Sequence, residues 1–158
     1  MSCIGGAVIR ILLVDDNQLI RQSLRRLLEQ HDQWKVCGEA STGREAVSSF
    51  QRLHPDVVVL DFKMPDMNGL EAAREITHRG QVPILLVSMF LNDQLAAEAR
   101  KAGVQGTCPK EEVRCVVQAV EAVLRNETYF PSWKTPQYAS REFNARSQWA
   151  SSHPNAKN

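Results

Sequence analysis

Three acidic residues follow runs of apolar residues that are typical of buried strands. Asp15 and Asp16 come directly after the run 8–14, and Asp61 follows the run 56–60 in the stretch VVVLDFKMPDMNG. A carboxylate at the edge of a hydrophobic core loses hydration, which destabilises the fold unless a cation or hydrogen bonds compensate for it. We therefore expect these acids to bind a cation or to take part in a reaction.

A hydroxyl group and an ammonium group stand at two further strand ends. Ser88 ends the run 82–88, and Lys110 follows the run 104–109. Carboxylates that meet at ~4 Å repel by about 4 kcal/mol per pair at an effective dielectric constant near 20, so the acids need a cation. Oxygen ligands of this kind suit Mg²⁺ better than zinc. With Mg²⁺ and Lys110 neutralising charge, Asp61 can attack a phosphoryl group as a nucleophile.

The elements that must position these residues alternate between apolar runs and amphipathic helical patterns. Asn68 and Asn92 are predicted helix N-caps, and Gly80 and Gly103 are predicted helix stops. Helices are predicted wherever apolar residues recur at a spacing of three or four. The predicted strands cover 8–14, 35–40, 56–60, 82–88 and 104–109, and the predicted helices cover 17–30, 42–53, 68–80, 92–103 and 111–126.

Continuous apolar central strands favour a parallel sheet that is covered by helices on both faces. We predict an α/β, doubly wound, five-stranded parallel sheet of the flavodoxin-like (βα)5 type, with strand order 2-1-3-4-5. This order makes the second and fifth strands the edges, which suits Pro109 because proline lacks a backbone N–H. Functional groups of such sheets gather at the carboxyl ends of the strands, so the acids should meet Ser88 and Lys110 there.

Length and composition fit one domain with a C-terminal tail. The chain has 158 residues, of which 43% are hydrophobic and 23% are charged, and its net charge is +1. This charge indicates neither nucleic acid nor an anionic membrane as a partner, and no apolar run approaches the roughly 20 residues that span a bilayer. Residues 131–158 contain no Leu, Ile, Val or Met, so we predict a domain at 1–130 and a flexible or docked tail without a second domain. A cytoplasmic location is expected.

The four cysteines are scattered along the chain. Cys3, Cys37, Cys108 and Cys115 form no C-x-x-C pair and have no histidine at metal-ligand spacing. The pattern favours reduced thiols without a role in metal binding or in a disulfide.

Four stretches of the sequence resemble the receiver domain of bacterial two-component response regulators. They are ILLVDDN, PDVVVLDFKMPDMNGLEAAREI, PILLVS and GVQGTCPKE, and their order and spacing are those of that family. The stretches MPDMNGLEA and VEAVLRNETYFPS are similar to regulators of the NarL/FixJ type. The resemblance covers about residues 8–130.

The resemblance implies a role for each strand-end residue. Asp61 is the expected phosphoacceptor, Ser88 is the hydroxyl that turns toward the phosphoryl group, and Lys110 is its ion-pair partner. The carbonyl group of one loop residue is a further expected Mg²⁺ ligand beside the acids. The expected metal-binding residues are Asp15, Asp16, Asp61 and Lys63.

The sequence departs from the family pattern at the expected switch residues. Thr107 stands three positions before Lys110, where the family usually has an aromatic residue, and it is too small to transmit a motion by volume. Phe90 and Lys63 lie two residues after Ser88 and Asp61, where the resemblance places side chains beside the path of hydrolytic water. We therefore expect a long-lived aspartyl phosphate and a switch centred on Ser88 and Phe90, with Thr107 contributing little.

The function implied by the resemblance is that of a phosphorylation-controlled signalling switch. A sensor histidine kinase, a phosphotransfer protein or a small phosphodonor would supply the phosphoryl group, and a downstream protein partner or a phosphorylation-dependent homodimer would read it. The alternative is a truncated transcriptional regulator, since NarL/FixJ-type proteins continue into a DNA-binding domain that the 28 residues from Pro131 are too short to form. Direct DNA binding and membrane association are not expected. An aspartyl-phosphate phosphatase is disfavoured because Lys63 stands where such an enzyme needs a second Asp as general acid.

Overall fold

A computed structural model describes residues 6–131 of the chain. In this range five strands alternate with five helices, as predicted, and the predicted ends differ from the observed ends by no more than two residues. The strands are β1 (Ile9–Val14), β2 (Trp34–Ala40), β3 (Val57–Asp61), β4 (Ile84–Ser88) and β5 (Gly106–Pro109). The helices are α1 (Gln18–Glu29), α2 (Gly43–Leu53), α3 (Gly69–Arg79), α4 (Asp93–Lys101) and α5 (Val113–Leu124).

The five strands form one parallel sheet in the order β2-β1-β3-β4-β5, which confirms the predicted fold class. Successive residues of the central strands point to opposite faces, and both faces are buried. Leu12 and Val58 pack with α2, α3 and α4, whereas Leu13 and Val59 pack with α1 and α5. Two apolar cores therefore hold the strand ends in place.

Short side-chain caps fix the loops at the carboxyl edge of the sheet. The Oδ1 atom of Asn68 accepts a hydrogen bond from the Glu71 N–H at 2.9 Å, and Oδ1 of Asn92 accepts one from the Leu95 N–H at 2.7 Å. Both predicted N-caps are thus confirmed. Gly103 follows α4 with φ of +91°, a left-handed conformation that favours glycine at a helix end.

The chain passes along the outer edge of β5 after the last helix. The N–H of Tyr129 donates to the Gln105 carbonyl at 2.9 Å, and the N–H of Thr107 donates to the Tyr129 carbonyl at 2.9 Å. Phe130 packs against the core beneath α4, and the guanidinium carbon of Arg100 lies 3.9 Å from the centre of its ring. These residues extend the sheet by one bridge, which the sequence pattern does not predict.

The predicted tail lies almost entirely outside the described residues. Only Pro131 of the segment 131–158 is described, so the boundary at residue 130 and the nature of the tail stay predictions. Within residues 6–131, none of the helices combines the length and the apolar character that crossing a membrane requires.

Candidate functional site

Lys110 connects the ends of two strands that are distant in the sequence. Its Nζ atom lies 3.0 Å from Oδ2 of Asp15 and 3.0 Å from Oδ2 of Asp61. Asp15 follows β1, Asp61 ends β3, and Lys110 follows β5, so the observed strand order is what brings the three side chains together. The N–H of Lys110 also donates to the Ser88 carbonyl at 2.9 Å, which holds the lysine beside the end of β4.

Three carboxylates surround this ammonium group. One oxygen atom from each of Asp15, Asp16 and Asp61 can be chosen so that all three lie within 4.8 Å of one another. Asp15 and Asp61 are buried, whereas Asp16 is exposed, so the cluster opens to solvent on one side. A set of carboxylate oxygens with a hydrated side fits Mg²⁺, which binds through one or two carboxylates and keeps several waters.

The charges of the cluster do not balance. Burial raises the pKa of Asp61, the hydrogen bond from Lys110 lowers it, and the neighbouring charges of Asp15 and Asp16 raise it again, so that the pKa lies above its ordinary value. Burial opposes the charge of Lys110, but its hydrogen bonds to Asp15 and Asp61 hold the pKa of Lys110 above its ordinary value. Three acids thus face one stable cation, and a divalent cation would relieve the remaining repulsion.

Asn17 orients the first acid of the cluster. Its backbone N–H donates to Oδ1 of Asp15 at 2.8 Å, which leaves Oδ2 of Asp15 for Lys110. The side chain of Asn17 also caps α1 by accepting hydrogen bonds from the N–H groups of Leu19 and Ile20. One residue therefore joins the start of the helix to the geometry of the site.

The loop between β3 and α3 is tied to the start of α2. Both carboxylate oxygens of Asp66 accept hydrogen bonds from this helix, one from the Gly43 N–H and one from the Arg44 N–H, each at 2.9 Å. The Gly69 N–H closes the loop by donating to the Phe62 carbonyl at 2.7 Å. Lys63 lies in this loop with an exposed side chain, and its role as a carbonyl ligand stays a prediction.

The three predicted switch residues differ in their surroundings. Ser88 is buried, and its hydroxyl accepts from the Phe90 N–H at 3.2 Å and donates to the Phe90 carbonyl at 3.3 Å. The side chain of Phe90 is 78% exposed. Thr107 is fully buried in β5, and its hydroxyl has no hydrogen-bond partner within residues 6–131. Among the residues that the structure describes, the hydroxyl of Ser88 is thus hydrogen-bonded to its own loop alone, through two long hydrogen bonds.

The structure separates the predicted site residues into two groups. Those that meet at the carboxyl edge of the sheet are Asp15, Asp16, Asp61, Ser88 and Lys110, and those that lie in exposed loops or in the core are Lys63, Phe90 and Thr107. Sequence reasoning missed Asn17 and Asp66. Asn17 could be found from its position at the start of α1, where such side chains accept backbone hydrogen bonds, whereas Asp66 bonds to a helix that is distant in the sequence and left no such signal.

Comparison with known proteins agrees with this geometry. The family described as "Response regulator receiver domain" matches residues 11–121. The chain belongs to this receiver family. One solved structure with the same fold is the crystal structure of a LuxR-family two-component response regulator from Aurantimonas sp. SI85-9A1. Its sequence is 32% identical to this chain, the TM-score is 0.76, and the match covers 89% of this chain and 99% of that one.

Two curated relatives carry a receiver region inside a longer protein. Response regulator UvrY of Escherichia coli K12 is 37% identical over an alignment of 131 residues, and the match covers 79% of this chain and 58% of the relative. A protein-glutamate methylesterase/protein-glutamine glutaminase of Alkalilimnicola ehrlichii is 39% identical over 104 residues, which are 65% of this chain and 27% of the relative. The receiver region described here thus spans from about a quarter to about three fifths of these relatives.

Proposed function

We propose that this receiver domain is a phosphorylation-controlled signalling switch in which Asp61 accepts the phosphoryl group. The observation that carries the proposal is the contact of Lys110 Nζ with both Asp15 and Asp61 at 3.0 Å. This contact places a fixed cation next to the carboxylate that would react. Catalysis of phosphoryl transfer depends mainly on such positioning and on positive charge near the transferred oxygens.

The side chains of the cluster have distinct roles in this proposal. A carboxylate oxygen of Asp61 forms a bond to phosphorus while the bond from phosphorus to the leaving group of the donor breaks. Lys110 stabilises the charge on the transferred oxygens. Asp15 and Asp16, with the carbonyl of Lys63, would hold Mg²⁺, which supplies further positive charge to the phosphoryl oxygens when it is bound. Asn17 keeps Asp15 in its orientation.

Ser88 is the proposed reporter of phosphorylation. Its hydroxyl makes hydrogen bonds of 3.2 and 3.3 Å to the backbone of Phe90, and these are long for a hydroxyl group. A phosphoryl oxygen on Asp61 would be a stronger, charged acceptor for this hydroxyl. Turning toward it would release the backbone of Phe90 and change the loop after β4, which a downstream protein or a second copy of the chain would then recognise.

The proposed donor is a sensor histidine kinase, a phosphotransfer protein or a small phosphodonor, and the proposed location is the cytoplasm. A truncated transcriptional regulator remains the alternative. The transcriptional regulatory protein YdfI of Bacillus subtilis supports this alternative, because the match covers 48% of that relative and the relative is therefore longer than the matched region. We further propose that the domain acts as a switch and not as an enzyme; an aspartyl-phosphate phosphatase in particular would need an acid at the position that Lys63 occupies.

Incubation with acetyl phosphate and Mg²⁺ tests the proposal. The intact mass should increase by one phosphoryl group in the wild type and in Asp32→Asn, which changes an exposed acid outside the cluster. Asp61→Asn should show no increase, and excess EDTA should suppress the increase in the wild type. Equal labelling of Asp61→Asn, or full labelling in EDTA, would overturn the proposal.

A further inference from the structure

Arg21 reaches from the first turn of α1 back to the end of β1. It is the fourth residue of the helix, and its backbone N–H donates to the Asn17 carbonyl at 3.1 Å. Side chains on a helix lean toward its N-terminus, so the guanidinium group of Arg21 extends over the helix start. Its Nη1 atom donates a hydrogen bond of 2.5 Å to the backbone carbonyl of Asp15. The first helix thus contacts the acid cluster through a cation that binds the backbone of the cluster.

A second acceptor, Glu39, holds the guanidinium group of Arg21. Glu39 pairs with Leu13 across β1 and β2, one residue before the two strands end. Its Oε1 atom lies 3.1 Å from Nε of Arg21, and the side chain of Arg21 is only 15% exposed. A planar guanidinium group can bind two acceptors at once along fixed directions. Arg21 is therefore held between β2 and the Asp15 carbonyl.

The carbonyl group of Asp15 determines the direction in which Asp16 starts. This carbonyl and the N–H of Asp16 belong to one planar peptide group, so fixing one of them fixes the other. The remaining polar groups of Asp15 are also bound. Its N–H donates to the Ala40 carbonyl at 3.0 Å, and its carboxylate oxygens are bound by the Asn17 N–H and by Lys110. Since Asp16 is exposed, this peptide joins the fixed acid of the cluster to the exposed one.

We propose that Arg21 is a positioning residue for the binding of a cation by Asp15 and Asp16. This role rests on the proposed function, in which these two acids hold Mg²⁺. By fixing the peptide between them, Arg21 keeps the carboxylate of Asp16 near that of Asp15 before the cation arrives. Ligands that are already in place bind more tightly, because folding has met the cost of ordering them. The charge of Arg21 by itself would have the opposite effect, since a cation beside the acids repels Mg²⁺.

The opposite signs of these two effects make the role of Arg21 testable. If Arg21 acted through its charge alone, its removal would strengthen Mg²⁺ binding. If it acts by holding the peptide, its removal weakens Mg²⁺ binding even though a repelling charge is lost. We expect Arg21→Met, which keeps an unbranched apolar stem, to raise the dissociation constant for Mg²⁺ by about tenfold, the low end of the effect that supporting residues of metal sites have. Arg21→Lys keeps the charge but lacks the guanidinium fork, so it should weaken Mg²⁺ binding too.

Arg25 offers a matched control on the next turn of α1. Its Nη1 atom lies 3.2 Å from Oε2 of Glu39, so it shares a partner with Arg21. It also donates a hydrogen bond to the Val36 carbonyl at 3.4 Å. Arg25→Met removes the same charge from the same helix but leaves the Asp15 carbonyl bound to Arg21. The dissociation constant of this variant for Mg²⁺ should therefore stay close to that of the wild type.

Titration of the full chain with MgCl₂ measures the dissociation constants, with the backbone amide shifts of Asp16 and Asn17 as the signal. Urea midpoints show whether each variant is folded, and Arg21→Lys decides the matter if Arg21→Met does not fold. Phosphorylation by acetyl phosphate is then timed at limiting and at saturating Mg²⁺. Because the role concerns binding of the cation, the rate of a folded Arg21 variant should be low at limiting Mg²⁺ and should approach that of the wild type at saturation.

The outcomes separate this role from the proposed function. Unchanged or tighter Mg²⁺ binding in a folded Arg21 variant, or equal weakening in Arg25→Met, would overturn the role of Arg21 and leave the proposed function intact. Wild-type protein that binds no Mg²⁺ would overturn the proposed function, and the role of Arg21 with it.

Discussion

Lys110 makes two ion pairs with carboxylates from two different strands, and it is the side chain that gives the cluster its geometry. Its contacts at 3.0 Å hold the carboxylates of Asp15 and Asp61 next to each other, while its backbone N–H fixes it to β4. A lysine that is partly buried between two acids keeps its charge and lacks freedom to move away. A phosphoryl group on Asp61 would therefore meet a cation that is already in position.

Phe90 and Lys63 should slow the loss of the phosphoryl group from Asp61. Both lie two residues beyond a residue of the site and both have exposed side chains, so they can crowd the approach of water. We expect Phe90→Ala and Lys63→Ala to shorten the half-life of the aspartyl phosphate by a factor of about two to ten, or about 0.4–1.4 kcal/mol in the barrier. Val8→Ala changes an exposed apolar residue before β1 and should leave the half-life unchanged.

The loop after β4 provides a structural measurement of the proposed switch. On addition of beryllofluoride and Mg²⁺, the largest changes in backbone amide shifts should occur at residues 88–90, because the hydroxyl of Ser88 leaves Phe90. If neither substitution speeds dephosphorylation, and the largest shifts instead cluster around Thr107, our account of the switch is wrong.

At the level of elements, the loop after β3 depends on the first turn of α2. Asp66 accepts hydrogen bonds from the N–H groups of Gly43 and Arg44, at a helix end where negative charge is favourable. Burial by itself would raise the pKa of Asp66, but the N–H groups of Arg44 and Gly43 hold that pKa below its ordinary value. The loop that carries Lys63 is thus attached to a helix that contributes no residue to the acid cluster.

This attachment should make stability depend on pH. A lowered pKa in the folded state means that ionised Asp66 stabilises the fold above its unfolded pKa of about 3.9, and that the effect is lost as the pH falls through the folded pKa. Asp66→Asn should therefore have a lower free energy of unfolding than the wild type at pH 7, with the difference shrinking in acid. Asp32→Asn serves as the control. A difference that is constant from pH 7 into acid would contradict the proposed role of the charge.

The segment along β5 should also contribute to stability. Phe130 packs on the core and against Arg100, so Phe130→Ala should lower the free energy of unfolding by about 1–2 kcal/mol. Phe90→Ala removes a phenyl ring from a position that is 78% exposed. This substitution should change the free energy of unfolding by less than about 0.5 kcal/mol. Equal urea midpoints for the two variants would show that the segment does not dock.

Across the whole molecule, periodicity and strand ends account for what the sequence could predict. Alternating apolar runs and helical patterns predict the five βα units and their order, and the polar residues at the strand ends predict the acid cluster with Lys110. Contacts between distant segments away from the strand ends could not be predicted, because they depend on how the loops and the segment after α5 pack in the complete fold. Examples are Asp66 with the start of α2 and Tyr129 with β5.

The segment after Phe130 should add little to the stability of the domain. Residues 136–158 lack aliphatic side chains that could anchor them to the core. Their deletion should lower the free energy of unfolding, measured from the urea midpoint, by less than about 1 kcal/mol. A larger loss would show that the aromatic residues of this segment pack on the domain.

The most direct test of the central claim is to identify the carboxylate that carries the phosphoryl group. Borohydride reduces an acyl phosphate to an alcohol, so a phosphorylated Asp becomes homoserine. Trypsin places Asp15 and Asp16 in peptide 11–21 and Asp61 in peptide 53–63. After acetyl phosphate and Mg²⁺, we predict homoserine at position 61, located by fragmentation of peptide 53–63, and an unchanged peptide 11–21. Homoserine in peptide 11–21, at Asp56, or in neither peptide would contradict the account.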